Sequence, residues 1–158
     1  MKSLLQKSTF LLFCFTAQLF WGTTTVLGNT PNPDAIVGLW KPGSGNGLVQ
    51  IYKQGNNYFG KIVWLKTPID PTTGKPQTDV KNKEPKLRSR PILGLVNVKD
   101  LKFIKEYSWK EGSVYDPNSG NEYSCKITMI DENTIELRGF IGFSIIGRTD
   151  TWKRQKSL

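Results

Sequence analysis

The chain has 158 residues, a formal net charge of +9, two cysteines and no histidine. The lack of histidine removes the commonest general base and metal ligand, together with Ser-His-Asp and Cys-His catalytic arrangements. A basic surface favours anionic partners, although charge that only keeps a protein soluble is the commoner explanation.

Residues 1–28 are typical of a signal peptide. Lys2 and Lys7 precede an apolar run from Thr9 to Trp21 that is short for a membrane span. A retained N-terminal anchor is the alternative. We therefore predict an exported protein, periplasmic or extracellular, with a single domain over residues 29–158, a net charge of +7 and no transmembrane segment. Without Cys14, the domain keeps one cysteine and has no internal disulfide.

The rest of the chain is a series of short strand-like runs separated by Gly, Asn, Asp and Pro, with no sustained helical period. The predicted strands are Ile36–Lys41, Gly47–Lys53, Tyr58–Lys66, Ile92–Val98, Lys102–Trp109, Ser113–Asp116, Glu122–Ile130, Thr134–Ile141 and Ile145–Lys153. Regular spacing with tight turns predicts an all-β domain, either an antiparallel up-and-down barrel or a sandwich. Alternation in the run Glu122–Ile130 places Cys125 on the inward face as a small buried hydrophobe.

One segment, residues 67–91, does not fit a strand. This long basic loop holds five of the nine prolines, and a connection of that length is usually functional or disordered. Within it, Arg88 and Arg90 are a candidate clamp for a carboxylate or phosphate, because guanidinium groups match those anions. A merely solvated loop is the alternative.

The last run places charges on the same face as an aromatic side chain. Every second residue of this run lies on one face of the strand, and that face carries Arg148, Asp150, Trp152 and Arg154. An inward Trp152 therefore brings the charged residues inward as well. Buried charges must be paired, or they must line a wet cavity. The alternative is that Trp152 lies on the outer surface.

In order along the chain, several motifs resemble a known bacterial family, the domain of unknown function 2147. They are Gly38-x-Trp40, Gly60-Lys-Ile-Val-Trp64-Leu65, Asp79…Asn82…Leu87-Arg88-x-Arg90-Pro91-x-Leu-Gly94-Leu95, Trp109-x-x-Gly112-x-Val-Tyr115-Asp116-Pro117-x-x-Gly120-x-x-Tyr123, Gly139-x-Ile-Gly142 and Gly147-Arg-Thr-x-Thr-Trp152-x-Arg154. The chain departs from the pattern at Lys83, where a proline is expected. The resemblance implies a bacterial envelope or exterior location and brings no established activity.

The Gly-x-Trp start and the closing arginine are also similar to lipocalin and calycin barrels. That similarity implies a single antiparallel, lipocalin-like up-and-down barrel of about eight strands with one long loop. It also implies that Gly38, Trp40, Trp152 and Arg154 close the barrel, with Arg154 packed across Trp40 in a cation–π contact.

The leading functional hypothesis is a non-catalytic binding module for a small apolar or anionic, lipid-like ligand, since small barrels hold ligands inside or at one end. The candidate ligand-binding residues are Asp79, Asn82, Arg88, Arg90, Trp109, Tyr115, Arg148 and Asp150. We expect no catalytic residue, metal, cofactor or nucleic acid, while an envelope component is a possible partner. Two alternatives remain: an envelope structural or interaction protein without a ligand, and a hydrolase that uses two of Asp79, Asp116 and Asp150.

Overall fold

The computed structural model describes residues 31–158, so the predicted signal peptide and the predicted start of the domain lie outside the described residues. Eight strands make up almost all of the regular structure. They are β1 (Gly38–Lys41), β2 (Gly47–Gln54), β3 (Asn57–Leu65), β4 (Val96–Lys105), β5 (Ser108–Asp116), β6 (Asn121–Asp131), β7 (Thr134–Phe140) and β8 (Gly147–Gln155). Two short 3-10 turns, Pro33–Ile36 and Pro85–Leu87, complete the elements.

Each strand pairs antiparallel with the next, and β8 pairs with β1 to close the barrel. The closing register sets Trp40 opposite Arg154 and Lys41 opposite Lys153. The predicted all-β, up-and-down barrel of about eight strands is therefore confirmed. Between residues 31 and 158, no helix is long and apolar enough to span a membrane.

The strand boundaries around β4 and β5 differ from the prediction. The predicted breaks near Asp100 and Glu111 are β-bulges inside continuous strands, where the φ angles are +56° and +63° and the pairing register shifts. The true turn joins Lys105 to Ser108, inside the predicted run Lys102–Trp109. The sequence at that turn contains neither glycine nor asparagine, so the usual turn signal is missing.

Alternation along the strands fills the barrel with apolar side chains, as predicted for β6. Cys125 and Ile127 are buried, and Trp152 on β8 is buried rather than on the outer surface. Burial raises the pKa of the Cys125 thiol to about 12, which keeps it protonated and unreactive at neutral pH. Ile141, the last residue of the predicted run Thr134–Ile141, is exposed, and β7 ends one residue earlier.

We define the closed end of the barrel as the end that carries the N-terminal 3-10 turn and the β2–β3, β4–β5 and β6–β7 turns. Arg154 joins three chain segments there. Its Nε donates to the carbonyl oxygen of Glu132 (2.6 Å), Nη1 to Val37 (2.9 Å) and Nη2 to Ala35 (2.7 Å). Its guanidinium carbon also lies 4.2 Å from the ring centroid of Trp40. The guanidinium thus satisfies backbone acceptors and covers the tryptophan at the same time.

Beneath this guanidinium, aromatic side chains fill the closed end. Trp40 and Trp109 are fully buried, and their indole N–H groups donate to the carbonyl oxygens of Ile36 (2.8 Å) and Pro33 (3.1 Å). Tyr58 packs edge-to-face on Trp109. The 3-10 turn therefore acts as a plug that is hydrogen-bonded to the core it covers.

Glycine is required at position 38 for two reasons. Its φ of +147° is rarely adopted by other residues, and a Cβ atom there would overlap Nη1 of Arg154. The Gly-x-Trp motif and the distant arginine are therefore parts of one packing unit.

We expect Arg154→Ala to lower the free energy of unfolding by about 3 kcal/mol, because it removes the three charge-assisted hydrogen bonds and the cation–π contact. Urea unfolding monitored by tryptophan fluorescence measures this. Arg148→Ala, an exposed arginine on the same strand, is the matched control and should change the value by less than about 0.5 kcal/mol. Equal effects of the two substitutions would show that Arg154 does not stabilise the closed end.

Candidate functional site

The opposite end of the barrel, which we define as the open end, carries the β1–β2 turn, the long β3–β4 connection, the β5–β6 turn and the β7–β8 connection. A cavity of about 430 Å³ opens there, within the range of small-molecule sites. Buried side chains that point into the barrel form its floor. They are Val49, Ile62, Leu137 and Trp152.

A buried polar side chain also lines the cavity. Asn97 on β4 is 8% exposed, and its Oδ1 atom has no hydrogen-bond partner among residues 31–158. The pairing of Gly60 with Val98 and of Lys61 with Val96 leaves Asn97 as the extra residue of a β-bulge. Bulges redirect side chains, and this one places the Asn97 side chain among the residues that line the cavity, while its unpaired Oδ1 atom is buried with almost no solvent-accessible surface. Such an atom costs about 1–3 kcal/mol if nothing pairs with it.

The remaining polar lining is mostly anchored by hydrogen bonds. Asp150 accepts the indole N–H of Trp152 at 2.8 Å and the backbone N–H of Gly43 at 3.2 Å. Asp116 accepts hydrogen bonds inside its own turn, including one from the Ser119 hydroxyl at 2.8 Å. Lys66 is the cationic residue of the lining. The cavity wall thus carries two carboxylates for one ammonium group.

Beside the cavity, a buried polar cluster secures the long loop to the barrel. Asp79 is fully buried, and its carboxylate accepts hydrogen bonds from the Tyr115 hydroxyl (2.6 Å), Asn82 Nδ2 (2.7 Å) and Arg90 Nε (2.9 Å). Arg88 adds a hydrogen bond from its Nε to the carbonyl oxygen of Asn82. Burial alone would raise the pKa of the Asp79 carboxyl, but the three donors together lower it below 3.8.

A close backbone contact reinforces this attachment. Gly120 has a φ of +70°, and a Cβ atom there would overlap the carbonyl oxygen of Lys81. The loop also forms an isolated bridge between Thr78 and Pro91. The loop is therefore packed as part of the open end, and its basic residues stand on a fixed backbone.

The structure brings together only part of the predicted site. Tyr115 and Asp150 line the cavity, whereas Asp79, Asn82 and Arg90 bond to one another behind it. Two further residues of the predicted set do not line the cavity. Trp109 belongs to the core of the closed end, and Arg148 is exposed.

The remaining candidate also lies away from the cavity. Arg88 is exposed on the loop and lies outside the cavity lining. The arginines that sequence predicts as an anion clamp therefore serve the loop backbone and the Asp79 carboxylate. No group of three or more Cys, Asp or Glu side chains within residues 31–158 gathers to form a metal site.

A family model described as "Uncharacterized protein conserved in bacteria (DUF2147)" matches residues 38–154. The chain belongs to the DUF2147 family. The matched region runs from Gly38 to Arg154, so the family pattern covers the barrel from β1 to β8. A comparison with curated proteins found no significant match.

A solved structure supports the same fold. The DUF2147 chain is similar to protein HP1028 from Helicobacter pylori, described as belonging to the lipocalin family, with a TM-score of 0.66 and 22% identity. The alignment covers 77% of this chain and 83% of that one. At this identity the likeness shows a lipocalin-like fold and nothing finer.

Sequence reasoning missed Asn97, although a signal for it exists. It is the one polar residue in the run Leu95–Val98, whose other members are apolar. A buried strand with a single amide is a recognisable pattern, but the bulge that turns this amide into the cavity depends on pairing with Gly60.

We expect Gly120→Ala to loosen the loop, because the new methyl group overlaps the Lys81 carbonyl. Trypsin should then cleave after Lys81 or Lys83 about tenfold faster than in the unmodified chain. Gly74→Ala is a matched control, since its φ is +67° and its Cβ atom would meet nothing within 4 Å. Equal acceleration by both substitutions would mean that backbone strain, and not the contact, governs cleavage.

We expect Asp79→Asn to reduce the free energy of unfolding by about 2–4 kcal/mol at pH 7, because it leaves the Arg90 charge and the other donors without a carboxylate. A lowered folded-state pKa gives stability that is complete above pH 3.8 and is lost as the pH falls through that lower pKa. The difference in free energy of unfolding between the unmodified protein and Asp79→Asn should therefore become smaller below pH 3.8. Urea unfolding across pH tests this, with Asp70→Asn in an exposed turn of the same loop as the control; a difference unchanged by acid would contradict it.

Proposed function

We propose that this protein is a binding module for a small, uncharged amphipathic ligand, taken up at the open end of the barrel. The observation that carries this proposal is Asn97, which lines the cavity beside its apolar floor and whose buried Oδ1 atom has no hydrogen-bond partner within residues 31–158. A rotation of the Asn97 amide toward the cavity would let a ligand hydroxyl or amide N–H satisfy that atom, while the apolar body of the ligand would cover side chains such as Leu137 and Trp152. Eight-stranded barrels of the lipocalin kind have room for one small ligand.

The charges around the cavity favour a neutral ligand over an anionic one. Asp116 and Asp150 line the cavity against Lys66 alone. Arg90 is neutralised by Asp79 at 2.8 Å, so its charge is not free to attract an anion. A carboxylate or phosphate group inside the cavity would meet more negative than positive charge. The predicted signal peptide supports an exported location, periplasmic or extracellular, for this activity.

Two aromatic probes of nearly identical shape test the role of Asn97. N-phenyl-1-naphthylamine carries one N–H donor between its rings, and 1-benzylnaphthalene carries a methylene group in its place. We expect the amine to bind more tightly, and Asn97→Leu to weaken amine binding about tenfold without weakening hydrocarbon binding. Fluorescence titration measures the amine, and competition against it measures the hydrocarbon.

The control is Asn133→Leu, an exposed asparagine at the closed end, which should leave both affinities unchanged. Thermal unfolding of each variant confirms that the barrel is intact. The proposal fails if the unmodified protein binds neither probe at micromolar concentration. It also fails if Asn97→Leu leaves the ratio of the two affinities as it was.

A further inference from the structure

The connection between β7 and β8 exposes an unusual amount of apolar surface. We call residues 141–146 the β7–β8 tip. Its large side chains are exposed to solvent by 68% at Ile141, 82% at Phe143, 86% at Ile145 and 71% at Ile146. Scattered exposed apolar residues are normal, but four large ones in six consecutive residues mark an interaction site.

Hydrogen bonds hold the tip in this exposed conformation. The Arg138 guanidinium donates to the carbonyl oxygens of Ser144 (2.8 Å) and Ile145 (3.0 Å) and to the Thr149 hydroxyl (3.0 Å). The backbone N–H of Ile141 donates to the carbonyl oxygen of Ile146 at 3.2 Å. The backbone is thus fixed by a side chain at its base, and the apolar groups project from it already arranged for binding.

Positive charge surrounds the base of the tip. Arg138 pairs across the sheet with Lys126, and Arg148 lies one step from the start of β8. Lys110 borders a groove that also includes Phe143. Within residues 31–158, none of these four basic residues forms a salt bridge, whereas the nearby Glu111 is paired with Lys102 at 3.0 Å.

An apolar projection with a basic collar matches the surface of an anionic phospholipid bilayer. The apolar side chains can enter the acyl region while the lysines and arginines remain at the level of the phosphates. A second copy of this chain fits less well, because it would bring two basic collars together and residues 29–158 already carry +7.

We propose that the β7–β8 tip docks the protein on an anionic phospholipid bilayer. The tip starts at the same end as the cavity, since alternate connections of an up-and-down barrel share an end, and Phe143 lies over the outer wall of the barrel beside Lys110 and Lys126. Docking therefore brings the rim of the open end close to the lipid, so that a ligand can pass between bilayer and barrel. This last step rests on the proposed binding function, and the docking itself does not.

Cosedimentation with large vesicles tests the docking. We expect the purified protein to bind vesicles of mixed phosphatidylglycerol and phosphatidylcholine, and to bind pure phosphatidylcholine much more weakly. The double substitution Phe143→Ser and Ile145→Ser should lower the partition constant about tenfold or more. The matched control is Ile104→Ser with Ile130→Ser, two exposed isoleucines near the closed end, which should leave it unchanged.

The electrostatic part has its own variants. Lys126→Gln and Arg148→Gln should each lower the partition constant about fivefold on the anionic vesicles, and added salt should weaken binding in the same way. Arg138 is left intact because it holds the tip. Equal binding to neutral and anionic vesicles would overturn the role of the basic collar.

A fluorescent label reports which end meets the lipid. Phe143→Cys can be labelled with an environment-sensitive nitrobenzoxadiazole group, since Cys125 is buried and should not react. We expect a blue shift when anionic vesicles are added, and none from a label at Ile130→Cys. The absence of a shift at position 143, or a dimer that the Phe143/Ile145 double substitution abolishes while vesicles do not bind, would overturn the proposal.

The docking and the cavity can fail separately. Asn97→Leu should bind vesicles like the unmodified protein, because Asn97 lies inside the barrel. Conversely, the Phe143/Ile145 double substitution should keep its affinity for N-phenyl-1-naphthylamine in the absence of vesicles. Loss of vesicle binding in Asn97→Leu would contradict the independence of the two surfaces and the proposed docking geometry.

Discussion

The barrel depends on the contact between Arg154 and the segment that leads into β1. β1 is only four residues long, and its pairing with β8 covers three residue pairs. Pairing through a strand this short is weak on its own. Arg154 strengthens this pairing by adding side-chain hydrogen bonds to Val37 and Ala35 and by covering the Trp40 ring. The same guanidinium donates to the carbonyl oxygen of Glu132 in the β6–β7 turn. One side chain on β8 therefore holds both the segment before β1 and the β6–β7 turn.

Because the barrel is closed at one end, its cavity and its exposed apolar groups lie at the other end. The aromatic core beneath the N-terminal turn is fully buried, and the indole N–H groups of Trp40 and Trp109 are both hydrogen-bonded. At the open end the interior contains a cavity and, among residues 31–158, an amide oxygen without a hydrogen-bond partner, and an apolar tip is exposed beside it. The first arrangement favours stability, while the second leaves interactions that only another molecule can complete.

Much of the fold could be predicted because it depends on local patterns. Period-two alternation placed Cys125 inside and put Trp152 on one face with charged residues, and the Gly-x-Trp and closing arginine motifs indicated which strands meet. The boundaries of β4 and β5 could not be read from the sequence, because Glu106 and Tyr107 adopt positive φ in a turn without glycine or asparagine. Tertiary packing sets that turn.

The candidate site was less predictable, because it depends on long-range partners. Asp79, Asn82 and Arg90 have the residue types of a ligand site, yet they satisfy one another and Tyr115 instead. Only the folded chain shows which polar atoms remain unpaired. The Oδ1 atom of Asn97 is unpaired among residues 31–158. The position of Asn97 results from a bulge whose partner strand lies more than thirty residues earlier.

The packing of the long loop has a consequence for selectivity. Because Asp79 and Gly120 fasten the loop to the barrel, the cavity-lining residues Gln77 and Ile92 stand on a backbone that is packed and hydrogen-bonded. For the proposed binding function, this means that the open end has a fixed width: molecules that are too wide would be excluded, and those that fit would enter without a rearrangement of the loop. The occupancy of the cavity would then follow the local concentration of the ligand.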